Sequence, residues 1–328
     1  MLKDEVLKIL LNKNDYVSGE SICSGFGVSR SAVWRAIKKL EAEGYKIKSS
    51  TRIGYKLLAA PDMLNQAELE YEFNKSKLKD LKVFYADKVD STNNWAKKLA
   101  EDNLIDKLVC VCSEQTKGRG RRGRDWSSPD GEGVYLSIVL KPDIQPDKVP
   151  MLTLAAALAT AEAVKECSEV TAFIKWPNDI IADEKKLGGI LTEMSADLDG
   201  VRYVVCGIGL NVNNECFKEE NLKYAVSLFN ITQKKYPRKK LIYCITEKFL
   251  KYSELIFKAG DLKPVKDRYE ALLINTGRRV KIIGDKDKFE AVAEGITDKG
   301  CLRVLKDNGE AAYILSGEVS IRGVYDYI

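Results

Sequence analysis

Val6, Leu7, Leu10 and Leu11 fall on one stripe at helical spacing, which predicts a first helix over residues 2–12. Ser18 predicts the cap of a second helix that carries Ile22 and closes at the glycine-bounded turn Gly25-Phe26-Gly27. Ser29 then caps a third helix running to about Glu43. In the third helix Val33, Ile37 and Leu40 face inward, and Arg30, Ser31, Trp34, Arg35 and Lys38 line the opposite side. This is helix-turn-helix spacing, with a polar, basic face suited to a DNA groove. After Gly44 the period changes to alternation. Tyr45, Ile47, Ile53, Tyr55 and Leu57 are expected on one side, and Lys46, Lys48, Arg52 and Lys56 on the other, which reads as a basic hairpin, or wing. Ser29, Arg30, Ser31, Trp34, Arg35, Lys38, Lys48 and Arg52 are the candidate DNA-binding residues. A winged helix also serves elsewhere as a dimerisation module, and its basic face can simply be solvated. Ala59-Ala60-Pro61-Asp62 ends the pattern and sets a boundary near residue 62.

Apolar runs then predict strands at residues 81–86, 108–114, 134–140, 170–176, 187–194 and 202–212, with helical patterns near 92–102, 147–166 and 238–257. Several strands follow one another through short connections, so a mostly antiparallel or mixed sheet with helices over one face is expected. Residues 74–82 and 214–236 fit no such pattern and read as surface insertions. From about Asn275 four short strands recur, at 279–284, 289–295, 301–305 and 311–315, and Asp307-Asn308-Gly309 is a hairpin signal.

Charge sharpens this division. The 328 residues carry 53 Lys and Arg against 48 Asp and Glu. Residues 1–60 hold 11 basic and 6 acidic side chains, and the remainder holds 42 of each. The whole basic excess therefore lies in the N-terminal module, where a nucleic-acid partner would meet it. The chain contains no histidine, which excludes a Ser-His-Asp triad, a histidine general base and any His-ligated zinc. Eight cysteines lie mostly inside apolar runs without a CxxC pair, as expected of buried thiols in a reducing compartment. No apolar run reaches the roughly 18 residues that span a bilayer, and Met1-Leu2-Lys3-Asp4-Glu5 is not the start of a signal peptide. A cytoplasmic protein with no membrane partner is expected.

Four clusters in the central body carry chemistry. The run from Gln115 to Trp126, Gln-Thr-Lys-Gly-Arg-Gly-Arg-Arg-Gly-Arg-Asp-Trp, has three glycines that let a ligand approach the backbone and four arginines able to grip a carboxylate or phosphate. It lacks the Gly-Lys-Ser/Thr ending of a P-loop, and its match to GxGxxG at Gly118, Gly120 and Gly123 is not evidently followed by a helix. Composition alone equally permits an RNA-binding or solvated arginine loop. Lys175-Trp176-Pro177-Asn178-Asp179 ends a strand. Asp179 there is either a turn residue or a partner for a ribose hydroxyl or magnesium. Lys186 opens a strand with Gly188 and Gly189, where its ammonium can meet an anion over a closely approached backbone. Gly207-Ile208-Gly209-Leu210-Asn211-Val212-Asn213 is a strand of small residues against which a flat ligand or another strand can lie.

With Asp90-Ser91-Thr92-Asn93 ahead of them, these clusters resemble in order and spacing the motifs of biotin–protein ligases. The winged helix in front resembles the bifunctional bacterial form, both ligase and repressor of biotin synthesis genes. The resemblance covers essentially the whole chain. It implies a multidomain α+β protein: a winged helix-turn-helix domain over 1–62, a mixed-sheet α/β catalytic domain over 63–273, and a small C-terminal β-barrel over 274–328. It further implies ATP- and magnesium-dependent activation of biotin to biotinoyl-5′-adenylate. Transfer to a lysine of the biotin carboxyl carrier protein of acetyl-CoA carboxylase would follow, with operator DNA and an adenylate-bound homodimer as the other partners.

Carried over residue by residue, the resemblance gives Ser91, Thr92, Asn93 and Gln115 to biotin, and closes Gly118, Arg119, Gly120 and Arg121 over carboxylate and phosphate. Lys186 goes to the reacting centre, Trp126 near adenine, and Gly188, Gly189, Gly207 and Asn211 to the adenylate. Lys186, Arg119, Arg121 and Asp179 are the candidate catalytic residues. Magnesium is expected to enter with ATP rather than on protein ligands alone, with Asp179 a candidate to help. Two other classes remain open at this point: a regulator that senses biotin without transferring it, and a ligase for lipoate or octanoate.

Overall fold

The computed structural model describes residues 2–74, 78, 81–102, 106–198, 200–217, 223–284, 288–315 and 320–323. It divides the chain into two compact units, Met1–Ala86 and Asp87–Ile328.

The first unit opens with helices α1 (Leu2–Asn12), α2 (Gly19–Phe26) and α3 (Arg30–Ala42), as the periodicity predicts. Ser18 and Ser29 accept hydrogen bonds from the amides of Ser21 and Ala32, and Gly27 closes α2 at φ 62° in the left-handed region. The antiparallel wing follows as β1 (Lys46–Ser50) and β2 (Gly54–Ala59). Val6, Leu7, Leu10, Ile22, Val33, Ile37, Leu40 and Tyr45 form one buried core, with Ile47, Tyr55 and Leu57 packed on it. Ile53 departs from its expected place. It is 51% exposed, because residues 51–53 form the turn between β1 and β2 and do not continue the alternation. A helix the pattern did not reveal, α4 (Gln66–Asn74), buries Leu69 and Phe73 together with Glu68. A buried glutamate and a short span hide its amphipathic period. Of the segment 74–82, most residues lie outside those described.

The large sheet, which apart from the first residues of β3 belongs to the second unit, comprises β3 (Lys82–Val89), β4 (Lys107–Gln115), β5 (Gly133–Leu140), β6 (Phe173–Lys175), β7 (Asp179–Ala182), β8 (Lys185–Asp197) and β9 (Gly200–Asn211), in the order β3-β4-β5-β9-β8-β7-β6. The pairings β4–β5, β5–β9, β9–β8, β8–β7 and β7–β6 are antiparallel, in keeping with the short connections. Helices α5 (Thr92–Asp102), α6 (Pro150–Ser168), α7 (Leu228–Thr232), α8 (Arg238–Ala259) and α9 (Lys263–Glu270) complete the layer around it. Leu152 through Ala161 on α6 are buried on every side, so this helix runs through the core and does not lie over it.

Residues paired across the sheet share a face, which locates the helices. Thr153 on α6 bonds Thr192, which pairs with Cys206, so the α6 layer covers that face. Ser137 pairs with Gly207 and bonds the start of α5, so α5 lies on the opposite face. Both faces of β5 are therefore buried.

The C-terminal segment forms an antiparallel sheet of β10 (Arg279–Ile283), β11 (Lys288–Ile296), β12 (Leu302–Leu305), β13 (Ala311–Ile314) and β14 (Ser320–Gly323). The expected barrel takes the form of a small five-stranded sheet, with β13 and β14 at its edges among the described residues. Gly309, at φ 80°, turns β12 into β13 as the hairpin signal predicts.

Of residues 214–236, the described parts 214–217 and 223–236 are not wholly a surface insertion, and 218–222 lie outside the described residues. Asn214, Val226, Ser227 and Leu228 are buried, and the side chains of Asn214 and Asn213 bond Glu132 and the carbonyl of Tyr236. The segment's polar content satisfies backbone inside the fold, which disguises it as a loop in sequence. No helix among the described residues is long and apolar enough to cross a membrane.

Candidate active site

The open end of the α5 face is floored by glycine. Strand alternation puts Gly189, Gly209 and Gly207 on this face of β8 and β9, with Asn211 further along. A Cβ on Gly209 would lie 2.5 Å from Nε1 of Trp126, and one on Gly207 would lie 2.2 Å from Oδ1 of Asn93. Trp126 and Asn93 therefore sit where side chains of the sheet would otherwise stand. Gly188 turns to the other face, against Leu210 and Ile180, and does not join this floor.

Lys186 reaches the floor through a bulge. Ile180 pairs with Gly188 but Ile181 pairs with Lys186, leaving Leu187 as an extra residue in β8. Without it Lys186 and Gly189 would face opposite ways. With it, Nζ of Lys186 lies 2.7 Å from Oδ1 of Asp179 and 5.5 Å from the centre of the Trp126 ring. Asp179 begins β7 opposite Gly189, and the turn before it holds Trp176 and Pro177 in a cis peptide. Trp176 is a core residue that donates its amide to Asn275 and its indole N–H to the carbonyl of Gly300.

The arginine-glycine loop folds back on itself. Trp126 donates its amide to the carbonyl of Gly118 at 2.9 Å, and Gly120 donates to Arg124 at 2.7 Å. A tight turn over Arg121–Gly123 closes the tip. Gly118 is obligatory because a Cβ would lie 2.3 Å from the carbonyl oxygen of Trp126. Arg121 is drawn inward and donates to Oδ1 of Asn178 at 3.0 Å. Burial, with the nearby charges of Arg122 and Arg124, lowers the guanidinium pKa, and Asp179 opposes the shift. Arg119 stays exposed, with a long contact of 3.4 Å to Asn94.

At the base of the loop a polar network joins the elements. Gln115 Oε1 accepts from the amide of Thr92 at 2.8 Å and from its hydroxyl at 3.1 Å, and Gln115 Nε2 donates to Ser128. Ser137 donates to Oδ1 of Asn93 at 2.6 Å and lies 2.7 Å from the Thr92 hydroxyl. Asn93 in turn donates to Glu193, whose other oxygen accepts from Lys97 at 2.6 Å. Burial works to raise the Glu193 carboxyl, but the hydrogen bonds from Lys97 and Asn93 prevail and hold it below the usual range. Ser91 is buried at the head of α5, donating its amide to Asp90.

Sequence reasoning missed Ser137, Asn178, Glu193 and Lys97. Asn178 stood in the run Lys175–Asp179 only as a turn residue, and Ser137 is the one aliphatic hydroxyl in residues 134–140, beside the phenol of Tyr135.

Beside Trp126 opens a cavity of about 340 Å³ lined by Glu132, Lys186, Asn211, Asn214 and Phe217 among others. The indole N–H of Trp126 is buried and has no hydrogen-bond partner among the described residues, so it is available as a donor.

On the N-terminal unit Arg30, Ser31, Trp34, Arg35 and Lys38 are all exposed on one side of α3, and Lys48 and Arg52 are exposed on the wing. Trp34 is 54% exposed, with Nζ of Lys38 5.9 Å from its ring centre. Ser29 is chiefly the helix cap.

Comparison with known proteins decides the family. Residues 85–211 match the Biotin/lipoate A/B protein ligase family, residues 3–56 an HTH domain, and residues 276–322 the Biotin protein ligase C terminal domain. The Bifunctional ligase/repressor BirA of Bacillus subtilis is 35% identical over 94% of each chain. The chain belongs to the biotin protein ligase family, in its bifunctional ligase/repressor form. The Escherichia coli ligase/repressor of the same name is 28% identical over 95% of each chain. The biotin protein ligase of Aquifex aeolicus, solved in complex with biotin and ATP, superposes with a TM-score of 0.65 at 33% identity, covering 74% of this chain and 99% of that one. The glycine floor, the arginine loop and the Lys186–Asp179 pair lie within or beside the stretch matched to the ligase family, and the exposed face of α3 lies within the stretch matched to the HTH domain.

Proposed function

We propose that the protein activates biotin with ATP, passes the biotinoyl group to a lysine of a biotin carboxyl carrier protein, and represses transcription in response to biotin. The carrying observation is that Lys186 and Trp126, whose N–H has no partner among the described residues, meet over glycine beside a cavity, with Arg121 held nearby on Asn178. Cations and a flat stacking surface meet there, as a nucleotide bearing an acyl phosphate requires. The domain division 1–62, 63–273 and 274–328 is retained as the functional one.

The chemistry needs little beyond position and charge. A biotin carboxylate oxygen attacks the α-phosphorus of ATP, the bond to the bridging oxygen breaks and pyrophosphate leaves. The deprotonated amine of the carrier lysine then attacks the acyl carbon, forming the amide as AMP departs. The carboxylate is its own nucleophile, so the absence of histidine costs nothing. Thr92, Gln115 and Ser91 hold biotin beneath the arginine loop, and Asn93 sets their geometry through Ser137. Arg119, Gly120 and Arg121 close over carboxylate and phosphate, with Gly118 allowing the loop to fold. Lys186 faces the charge that builds at the α-phosphate. Trp126, Asn211, Gly189, Gly207 and Gly209 form the surface for the adenylate, with Gly188 behind it.

Magnesium, when bound, neutralises phosphate charge. It would enter with the nucleotide, and Asp179, paired with Lys186, is the carboxylate that would help hold it. Asp179 is held by Lys186 at 2.7 Å, so it is positioned before any metal arrives.

The exposed basic side of α3 and the wing meet operator DNA, with repression exercised by an adenylate-bound homodimer in the cytoplasm. Sedimentation should show more dimer with biotinoyl-adenylate than without. An identical monomer fraction in both conditions overturns that coupling.

The deciding experiment is incubation with α-labelled ATP, magnesium and either biotin or lipoate, followed by chromatography of the bound adenylate. Biotin-dependent adenylate is expected. Product with lipoate alone transfers the protein to the sister activity, and no product from folded protein leaves only the regulatory role.

A further inference from the structure

A row of polar side chains crosses the α5 face from a half-buried ion pair to the base of the arginine loop, and the protons along it can be counted. Lys97 donates to Oε1 of Glu193 at 2.6 Å, which leaves Oε2 to accept from Nδ2 of Asn93 at 2.8 Å. The second hydrogen of Nδ2 goes to the carbonyl of Leu191 at 3.2 Å. Both amide hydrogens are thus taken, and Oδ1 of Asn93 is the end that faces Ser137, 2.6 Å away. An amide oxygen only accepts, so the single hydroxyl proton of Ser137 is committed to Asn93. Ser137 then has only lone pairs to offer the hydroxyl of Thr92 at 2.7 Å. Asn93, Ser137 and Thr92 are all buried, where a wrongly turned proton costs more than it would at the surface.

Thr92 holds the one proton in the row with a choice of acceptor. Its hydroxyl lies 3.1 Å from Oε1 of Gln115, which already accepts the Thr92 amide, and 2.7 Å from Ser137. Turned to Ser137, the proton leaves the Thr92 and Gln115 oxygens side by side as two bare acceptors, a pair that a ligand N–H can satisfy. We infer that Glu193, anchored by Lys97, is a positioning residue for biotin: by fixing the Asn93 amide it draws the Ser137 proton away from Thr92, so that the Thr92 proton turns to Ser137 and the two oxygens receive a ureido N–H. The inference rests on the proposed function, in which Thr92 and Gln115 hold biotin. The ureido ring of biotin carries N–H donors, whereas the tails of lipoate and octanoate carry none. The same ordering of protons therefore selects against the sister substrates, which would leave both acceptors unpaired.

A carboxylate is needed at position 193 because two donors draw on it, one at each oxygen. A glutamine has a single oxygen. In Glu193→Gln the ammonium of Lys97 takes that oxygen, and the glutamine NH2 is left facing Asn93. Asn93 then turns its own oxygen to that NH2 and presents its N–H to Ser137. Ser137 accepts there and gives its proton to Thr92, whose proton in turn stays on Gln115. Every group finds a partner, but the acceptor pair for the ligand is gone.

The test measures adenylate formation by the full-length protein from labelled ATP while biotin and ATP are varied in turn. An inactive wild type overturns the reading of the site itself, and the variants are judged against an active wild type. Glu193→Gln should raise KM for biotin at least about tenfold, the loss expected when a buried hydrogen-bonding group is left unmatched, with little change in KM for ATP. Adding Lys97→Met should restore most of the biotin KM, because the glutamine oxygen is then free to face Asn93. Ser137→Ala should raise the biotin KM to a similar degree, and combining it with Glu193→Gln should add little, since both act on one proton. An unchanged biotin KM in Glu193→Gln, a parallel rise in KM for ATP, no recovery with Lys97→Met, or full additivity with Ser137→Ala overturns the inference. Where Glu193→Gln does not fold, Ser137→Ala decides: a raised biotin KM with the KM for ATP unmoved upholds the relay, and an unchanged one overturns it.

Discussion

Lys186 stands on glycine and faces Asp179, so a substitution there acts on charge before it acts on packing. Lys186→Met should lower biotin-dependent adenylate formation by about two orders of magnitude, the usual loss of one donor aimed at developing charge. Labelled-ATP turnover checks this, and unchanged turnover would remove Lys186 from the reacting centre. Glu193 offers a different readout. Its folded pKa lies below the ordinary value despite burial, because Lys97 and Asn93 bond the carboxylate. A depressed pKa contributes stability that is complete above the unfolded value, about 4.3 for glutamate, and is lost as pH falls through the folded value. Urea midpoints measured down a pH series should therefore fall on the acid side in wild type, and less steeply in Glu193→Gln. Parallel curves would show that the Lys97–Glu193 pair is incidental.

Elements act here by what they hold in place. The arginine loop is a small hairpin anchored by Trp126 and Gly118 at its base and by Arg121 on Asn178 near its tip. Arg121→Gly removes that tether together with a bidentate donor. In a rapid-dilution assay the variant should release biotinoyl-adenylate at least about tenfold faster, since closure of such a loop is what commits the intermediate. Retention equal to wild type would make Arg121 peripheral. The elements also separate what periodicity reveals from what it hides. Helices α1, α3, α5 and α8 and strands β4, β5, β8 and β9 follow clear apolar patterns over eight or more residues. Helices α4, α7 and α9 and strand β14 do not, being short or, in α4, burying a charged residue that interrupts the period. The described residues of 214–236 are hard to read for a related reason: Ser227 bonds the backbone carbonyl of Asn214 and Asn211 that of Val226 in the interior, and composition cannot distinguish that from solvation.

For the whole molecule, the basic excess confined to residues 1–60 has a thermodynamic consequence. Operator affinity should fall linearly on a log–log plot against salt, with a slope of about −0.9 per phosphate neutralised, and replacing Lys48 or Arg52 should lower that slope by about one phosphate contact. Filter binding across a salt series tests it, and a flat response would separate the wing from DNA. By itself the sequence determined the class of the fold, the winged helix and its charged face, and the motifs that resemble a biotin ligase. Each of these depends on neighbours within a few residues or on the identity of a short run. Only the tertiary structure decided which side chains meet. The bulge at Leu187 turns Lys186 onto the face of Gly189 and Asp179, and Gly207 clears the space that Asn93 fills. The reason is geometric. A one-residue change of register reverses the face of a strand, and contacts between distant segments depend on that register rather than on local composition.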